Sequence, residues 1–295
     1  MGELGVVEII EVGPRDGLQN ERAEISVAGK ADFIRRCAEA GLRQIEVGSF
    51  VNPSRVPQMA ATGEVLRAVG PLDGVVGMVL IPNARRLAQY LEVRRETAFD
   101  ISRIAVFVSA TEAFSEANLG CSVAESLERV AEIMAAKPAD VTVRGYISCV
   151  TDCPFEGRVA PEAVGTLSEK LLALGCNSLA LADTVGKGTP ERVAAVLEAA
   201  LPPWDPARVA GHFHDTSGQA LANVEVAISA GIRRFDSSVS GLGGCPYAPG
   251  APGNLSTEAL VAHLEERGFE TGINVRKLKE LAAFARDIVG RKHDN

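Results

Sequence analysis

Eight short apolar runs, each followed by a stretch of helical periodicity, constrain the fold of this 295-residue chain more than any other feature. The runs are rich in Val and Ile, as expected for parallel strands buried on both faces, and their alternation with helices is typical of successive βαβ units. The predicted strands span residues 6–12, 44–50, 75–81, 103–109, 141–149, 178–183, 208–215 and 234–240.

Helices are predicted between these strands, with small or polar residues at their starts and Gly or Pro near their ends. The clearest candidates span 27–41, 123–137 and 190–201, and a further helix is predicted over roughly 275–290. Eight strand–helix units without a Gly/Ser/Pro linker fit a closed barrel better than an open doubly wound sheet. We therefore predict one catalytic domain over residues 1–295, an α/β fold of the (β/α)8 TIM-barrel class with an extra C-terminal helix.

The composition bounds the kinds of protein that the chain can be. With 46% hydrophobic and 23% charged residues, it can bury a large core and does not have the composition of a disordered segment. Its net charge of −8 argues against a nucleic-acid partner, which requires a basic face. An anionic small-molecule ligand would have to be held by a few local cations.

The expected location follows from the N-terminus, the hydropathy and the cysteines. The start, MGELGVVEII, lacks the basic region of a signal peptide. No apolar stretch approaches the roughly 20 residues of a membrane helix. The six cysteines are irregularly spaced, which fits reduced thiols better than a disulfide framework. These features predict a cytoplasmic protein that does not contact a membrane.

Unusual polar residues follow the predicted strands. In a (β/α)8 barrel, the carboxyl ends of the strands and the loops after them surround one mouth, where catalysis takes place. All of these residues therefore indicate one site. They are Arg15, Asp16, Glu46, Ser49, Arg144, Tyr146, Asp183, His212, His214, Cys245 and Asn254.

The pair His212 and His214 is the sharpest local signal. In a strand, residues i and i+2 point to the same face, so both imidazoles are aimed at one point. A bare pair of this kind is about equally often two buried, hydrogen-bonded histidines. Asp16 and Asn254 at the same barrel end would complete a four-ligand set, which suits Mg²⁺ or Mn²⁺ better than structural zinc. We predict a divalent cation with an open position for substrate.

Arg15 stands beside Asp16, where a planar guanidinium can hold a carbonyl or enolate oxygen as negative charge develops. An ion pair with Glu46 or Asp183 is the alternative role, and both roles are compatible. Carboxylates at strand ends are more often partners of Arg or His than direct acids. Neither Glu46 nor Asp183 is therefore our first choice of catalytic base.

Cys245 stands in a Gly- and Pro-rich stretch that predicts a lid loop over about residues 241–254. A cysteine in a glycine-framed loop over a site is a candidate proton donor or acceptor. Cys149 and Cys153 lack a second Cys or His pair, so a zinc site there is disfavoured. The GLGG stretch around Cys245 and GKGTP at 186–190 match neither a dinucleotide fingerprint nor a P-loop.

Taken together, the motifs resemble those of the 3-hydroxy-3-methylglutaryl-CoA lyase family, metal-dependent enzymes on the (β/α)8 barrel. The resemblance covers essentially the whole chain. The motifs are EVGPRDGLQNE (11–21), IEVGSFV (45–51), VPQM (56–59), VRGYISC (143–149), ADTVGKGTP (182–190), GHFHDTSGQALAN (211–223) and SVSGLGGCPYAPGAPGNL (238–255).

The resemblance implies cleavage of 3-hydroxy-3-methylglutaryl-CoA to acetyl-CoA and acetoacetate, by default in leucine degradation, in a homodimer. It implies that Asp16, His212, His214 and Asn254 bind Mg²⁺ or Mn²⁺. Arg15 would stabilise the enolate and Cys245 would protonate its C2 carbon. Glu46 and Asp183 would support the site, and Ser49 and Arg144 would contact substrate or CoA. Asp16 and His212 both remain candidates for the base.

Three positions depart from the family pattern, and two other functions compete. Ser217 stands where Tyr is common. Ala180 and Ala182 stand where better-known members have Ser and Gly, so a related 3-hydroxyacyl-CoA remains an alternative substrate. A Claisen condensing enzyme of the isopropylmalate or homocitrate synthase type is a second alternative, disfavoured because the chain has no room for the usual extra C-terminal domains. A non-catalytic CoA- or metal-binding barrel does not explain Arg15 and Cys245 together.

Overall fold

A closed barrel of eight parallel strands forms the centre of the computed structural model, which describes residues 5–244 and 253–290. Each strand pairs with its neighbours in sequence, and the first strand pairs with the last to close the barrel. The predicted TIM barrel is therefore confirmed. The strands are β1 (Glu8–Glu11), β2 (Gln44–Ser49), β3 (Val76–Leu80), β4 (Arg103–Ser109), β5 (Thr142–Ser148), β6 (Ser178–Asp183), β7 (Val209–Phe213) and β8 (Arg234–Ser237).

Among the described residues, eight longer helices follow the eight strands and a ninth comes after them, and a short helix, Glu112–Phe114, lies before the fourth of the longer helices. The longer helices are α1 (Val27–Glu39), α2 (Thr62–Val69), α3 (Ala84–Glu96), α4 (Val123–Ala136), α5 (Pro161–Ala173), α6 (Pro190–Ala200), α7 (Ala220–Ser229), α8 (Thr257–Glu266) and α9 (Val275–Ile288). A two-stranded hairpin, Asp152–Cys153 with Gly157–Arg158, follows β5. Within the described ranges, no helix is long and apolar enough to cross a membrane.

Five of the nine longer helices, α1, α3, α4, α8 and α9, begin after a residue whose side chain caps the first turn. The hydroxyl of Ser26 accepts from the backbone N–H of Gly29 at the start of α1. Ser122 and Glu125 form a reciprocal capping box at the start of α4. These contacts satisfy N–H groups that have no partner within the helix. They explain why the predicted starts at residues 27 and 123 are confirmed.

The last two barrel strands end earlier than predicted. β7 ends at Phe213, because His214 instead forms an isolated antiparallel bridge with Asn254. β8 ends at Ser237, and Ser238 forms an isolated bridge with Ser256. Ser238 and Asn254, on either side of residues 245–252, are thus both held at the mouth of the barrel.

The barrel interior is filled by side chains rather than open. Its apolar members come from alternate positions of the strands, as the period of two requires. They are Ile10, Val12, Met78, Leu80, Ala105, Tyr146, Ala180 and Ala210. A larger apolar cluster lies between the strands and the helices. A packed barrel leaves the mouth at the carboxyl ends of the strands as the place for a site.

The extra C-terminal helix packs against the first helix. The ring centroid of Phe284 on α9 lies 6.4 Å from that of Phe33 on α1. The guanidinium carbon of Arg36 lies 4.3 Å from the Phe284 centroid. The helix predicted over roughly 275–290 therefore packs in the layer of helices that surrounds the barrel.

Candidate active site

A tight turn after β1 carries Arg15 and Asp16 into the barrel mouth. Residues Gly13–Gly17 form one π-helical turn, in which the backbone N–H of Asp16 donates to the carbonyl of Val12 at 2.8 Å. A Cβ at Gly13 would lie 2.5 Å from Oε1 of Glu11, so the turn has no room for a side chain there. The glycine lets the backbone approach closely enough to form the turn.

His212 and His214 converge as their spacing predicts. Their Nε2 atoms lie 3.3 Å apart at the end of β7, and both side chains are buried. Asp16 joins them, since the ligand atoms of these three residues all lie within 4.8 Å of one another. Among residues 5–244 and 253–290 this is the only group of three His, Cys, Asp or Glu side chains with such geometry.

Asn254 completes the four residues that the sequence predicts as ligands. Its Nδ2 donates to Oδ2 of Asp16 at 2.8 Å and to the carbonyl oxygen of Leu242 at 3.1 Å. With both amide hydrogens engaged in this way, the amide oxygen is the atom that it offers to a cation.

The protonation of the cluster suits a divalent cation. His212 Nδ1 donates to Asp236, so Nε2 is the nitrogen that faces the cluster, and among the described residues Nδ1 of His214 is buried without a hydrogen-bond partner. Burial, and then the neighbouring His212, lower the pKa of His214 to about 4, so its imidazole is neutral near pH 7. Burial alone would raise the pKa of Asp16, but Arg15 and the two histidines hold it below its usual range. Imidazole nitrogens, a carboxylate oxygen and an amide oxygen are ligands that fit a divalent cation.

Arg15 is fixed by two carboxylates. Its Nη1 lies 2.6 Å from Oδ1 of Asp16, and its Nη2 lies 2.6 Å from Oε2 of Glu46. Burial opposes its charge, but Glu46 and Asp16 outweigh burial and raise the pKa of the guanidinium. The guanidinium carbon lies 5.6 Å from the ring centroid of Phe107. A permanent positive charge is thus fixed beside the candidate metal ligands.

Asp236 is a site residue that the sequence analysis missed. It accepts hydrogen bonds from Nδ1 of His212 at 3.0 Å, from Nη2 of Arg144 at 2.7 Å and from the hydroxyl of Tyr146 at 3.1 Å. Burial would raise its pKa, but Arg144 and His212 outweigh this and lower it. The signal was an aspartate in the middle of the predicted strand 234–240, where a buried charge requires partners.

Ser49 and Arg144, predicted as substrate contacts, and Asp183, predicted to support the site, are not among the residues that line the cavity beside the cluster. Ser49 accepts from the N–H of Val51 at 3.2 Å, and Arg144 is paired with Asp236. Asp183 is 0% exposed and accepts from Thr151 at 2.7 Å and from the N–H of Gly188 at 2.8 Å. Within the described part of the chain, the structure does not bring Ser49, Arg144 or Asp183 to the cavity, so these residues position other groups. Cys245 lies outside the described residues.

A cavity of about 660 Å³ opens beside the cluster. Arg15, Asp16, His212 and His214 line its inner end, and apolar side chains such as Phe107 line its wall. Arginines line the cavity as well, namely Arg55, Arg85, Arg86 and Arg129. This volume suits a small-molecule ligand, and the arginines suit an anionic one.

The fold and this site together define a (β/α)8-barrel protein with a carboxylate–histidine cluster that could hold a metal ion, beside a buried arginine. Comparison with known proteins gives the family. The family model described as HMGL-like matches residues 6–285, and the chain belongs to this family.

Named relatives and solved structures agree with this membership. Hydroxymethylglutaryl-CoA lyase of Pseudomonas mevalonii is 48% identical over 279 residues, which are 94% of this chain and 91% of that protein. The crystal structure of the HMG-CoA lyase from Brucella melitensis has a TM-score of 0.93 and 44% identity, covering 97% and 99% of the two chains. An Acinetobacter baumannii HMG-CoA lyase in complex with coenzyme A and 3-methylmalate has a TM-score of 0.92 and 32% identity, covering 100% and 95%.

Proposed function

We propose that this protein is a divalent-cation-dependent carbon–carbon lyase that cleaves 3-hydroxy-3-methylglutaryl-CoA to acetyl-CoA and acetoacetate. One observation carries the proposal: Arg15 lies 2.6 Å from Asp16, so a fixed positive charge stands beside the cation site at the inner end of the cavity. The names of the relatives at 44–48% identity support the choice of substrate. We also propose that the barrel acts as a single catalytic domain and forms a homodimer.

Asp16, His212, His214 and Asn254 would hold the cation, which we propose to be Mg²⁺ or Mn²⁺. When bound, the cation supplies a Lewis acid that polarises substrate oxygens. The protein residues position the reacting groups. Asp236 orients His212, and Glu46 orients Arg15, so that neither group has to reorganise during the reaction.

The cleavage moves one proton and one electron pair before the final protonation. Asp16 takes the proton of the 3-hydroxyl group, because both nitrogens of His212 are engaged by Asp236 and the cation, and the 3-hydroxyl oxygen becomes the ketone oxygen of acetoacetate. The C2–C3 bond breaks, and its electron pair passes to C2 and the thioester oxygen as an enolate. Arg15 stabilises the charge that develops there. A proton then added to C2 gives acetyl-CoA.

Cys245 is the donor that we propose for this last proton. The proposal rests on its place in the sequence, in the glycine-framed stretch between Gly244 and Asn254, because the structure does not describe the residue. A thiol at this position of the sequence would supply the proton that C2 requires.

Arginines of the cavity are proposed to bind the phosphates of CoA. Arg55 and Arg129 line the cavity together with Arg85 and Arg86. Guanidinium groups bind phosphate through paired hydrogen bonds, which compensates for the overall negative charge of the chain. The inner end of the cavity then receives the acyl group.

The direct test is product analysis with 3-hydroxy-3-methylglutaryl-CoA in the presence of Mn²⁺ or Mg²⁺. We expect acetyl-CoA and acetoacetate in equal amounts, no reaction in EDTA, and a strong loss of turnover in Cys245→Ala. Cys176→Ala is the matched control, since Cys176 is buried away from the cavity. Absence of cleavage by protein that has bound its cation would refute the proposed substrate.

A related 3-hydroxyacyl-CoA is the second candidate substrate. The observation that favours it is Ala182, which lines the cavity and adds a methyl group there, and so changes the space open to the acyl chain. If the first test shows no products, substrates that differ at C3 are the next to assay, together with the reverse condensation.

A further inference from the structure

Ser240 has a backbone conformation that normally selects glycine. It lies in the turn Val239–Gly241 after β8, where its φ is 57°, and the nearby glycines Gly241 and Gly243 have φ values of 58° and 91°. A left-handed φ is sterically disfavoured for a residue with a Cβ and persists only where surrounding contacts enforce it. A serine among these glycines therefore indicates that contacts of its side chain stabilise this backbone conformation.

The side chain of Ser240 ties the turn to the C-terminal helix. Its Oγ donates to the carbonyl oxygen of Ala282 at 3.0 Å and accepts from Nη1 of Arg286 at 2.9 Å, both on α9. Its backbone N–H donates to the carboxylate of Glu258 in α8, at 2.9 Å from Oε2. We call Ser240, Glu258, Ala282 and Arg286 the Ser240 clasp.

The residues after Ser240 reach the candidate cation site. The carbonyl oxygen of Leu242 accepts from Nδ2 of Asn254 at 3.1 Å, and the same nitrogen lies 2.8 Å from Oδ2 of Asp16. Gly243 is in close contact too, since a Cβ there would lie 2.7 Å from Nδ2 of Asn254 and 3.0 Å from the backbone oxygen of Asp16. The position of Leu242 and Gly243 thus sets where Asn254 lies against Asp16.

We propose that the Ser240 clasp positions the cation site by fixing the turn after β8 to α8 and α9. Ser240 and Arg286 are positioning residues, which act through Leu242 on Asn254 and touch neither cation nor substrate. The proposal rests on the cation site of the proposed function. It adds that α9, the helix after the eight strand–helix units, helps to position that site. Loosening the clasp should weaken cation binding without changing acyl-CoA binding, because the cavity arginines belong to other segments.

Mn²⁺ binding to EDTA-stripped protein, measured by isothermal titration calorimetry, tests the clasp without any turnover. Ser240→Gly removes the hydroxyl and suits the left-handed backbone, so the fold is retained. We expect the Kd for Mn²⁺ to rise about tenfold in Ser240→Gly and in Arg286→Leu, the lower end of what loss of an orienting partner causes. The double variant should be no weaker than either single variant, because the two residues act as one unit.

A control and a rescue separate positioning from general loss of structure. Arg276→Leu is the control, because Arg276 is on the same helix with a side chain that is 78% exposed. It should bind Mn²⁺ like the wild type. Arg286→Lys retains a donor and should recover part of the affinity. In turnover assays, excess Mn²⁺ should restore kcat in Ser240→Gly, and KM for acyl-CoA should stay unchanged.

Equal Mn²⁺ affinity in the wild type, Ser240→Gly and Arg286→Leu would overturn the clasp and leave the cation site standing. A wild-type protein that binds no Mn²⁺ would instead refute the cation site of the proposed function. In that case, the rate of amide hydrogen exchange in Gly13–Gly17 tests the clasp independently of cation binding. Faster exchange in Ser240→Gly and Arg286→Leu, but not in Arg276→Leu, supports the clasp, and unchanged exchange overturns it.

Discussion

Nδ1 of His212 lies 3.0 Å from Oδ2 of Asp236, a contact between neighbouring strands that fixes which nitrogen of the imidazole faces the cation site. Asp236 orients the ring through the nitrogen that does not face the site, as carboxylates commonly do for metal-binding histidines. We predict that Asp236→Asn lowers cation affinity about 10- to 100-fold. Mn²⁺ titration checks this, with Asp140→Asn as the surface control, since the Asp140 side chain is 68% exposed. Wild-type affinity in Asp236→Asn would contradict the assigned role.

Arg15 is predicted to require its guanidinium and not only its charge. Arg15→Lys keeps a cation but loses the fork that binds Asp16 and Glu46 at once. We expect kcat to fall about 10²- to 10³-fold, as when an oxyanion-stabilising donor is removed. Steady-state assays measure this, and Arg67→Lys, in an exposed pair with Glu96, is the control. A lysine variant with wild-type kcat would show that Arg15 does not stabilise the enolate.

Glu11 is predicted to make stability fall as the pH rises. Burial raises its pKa from 4.5 to about 7, despite hydrogen bonds from Thr257, Val239 and Gly13. Between pH 4.5 and 7 the folded protein therefore binds more protons at Glu11 than the unfolded chain does. The contribution of Glu11 is most favourable below pH 4.5 and is lost by pH 7, a difference of about 3 kcal/mol.

Glu11→Gln tests this pH dependence, because glutamine has the shape of the protonated acid and does not titrate. We expect the free energy of unfolding of this variant to lack the decrease between pH 5 and pH 7 attributed to Glu11, in urea unfolding at a series of pH values. Glu280→Gln is the control, since its side chain is 59% exposed. The same pH dependence in the wild type and Glu11→Gln would contradict the prediction.

The arginines of the cavity are predicted to set acyl-CoA affinity. Arg129→Gln removes a guanidinium from the cavity, and we expect KM for the acyl-CoA to rise about tenfold with kcat nearly unchanged, the effect of losing one charged hydrogen bond. Arg95→Gln is the control, because Arg95 is exposed in the last turn of α3 and does not line the cavity. An unchanged KM in Arg129→Gln would place the CoA phosphates elsewhere.

Much of the fold could be predicted from the sequence, because the alternation of buried strands and helices leaves few other architectures. Predicted strands 103–109 and 178–183 match β4 and β6. The ends of β7 and β8 could not be predicted, since they depend on the bridges of His214 with Asn254 and of Ser238 with Ser256. Such bridges join segments far apart in the chain, which local periodicity does not encode.

The parts of the site that depend on the spacing of residues within one strand could be predicted from the sequence. The spacing of His212 and His214 fixes their common face, whereas the network around Asp236 depends on three strands meeting inside the barrel. Asp183 shows a signal that was not used. Ala182 lines the cavity, and the next residue of a strand points to the opposite face, so Asp183 had to point away from the cavity.

The measurement that tests the central claim most directly is a Mn²⁺ titration of EDTA-stripped protein, with bound cation and cleavage of 3-hydroxy-3-methylglutaryl-CoA followed in the same samples. We predict that both rise together and saturate at one ion per chain, and that Asp16→Asn shows neither at the same Mn²⁺ concentrations. Full cleavage by the stripped protein, or a cleavage rate that does not change with the amount of bound cation, would contradict the account.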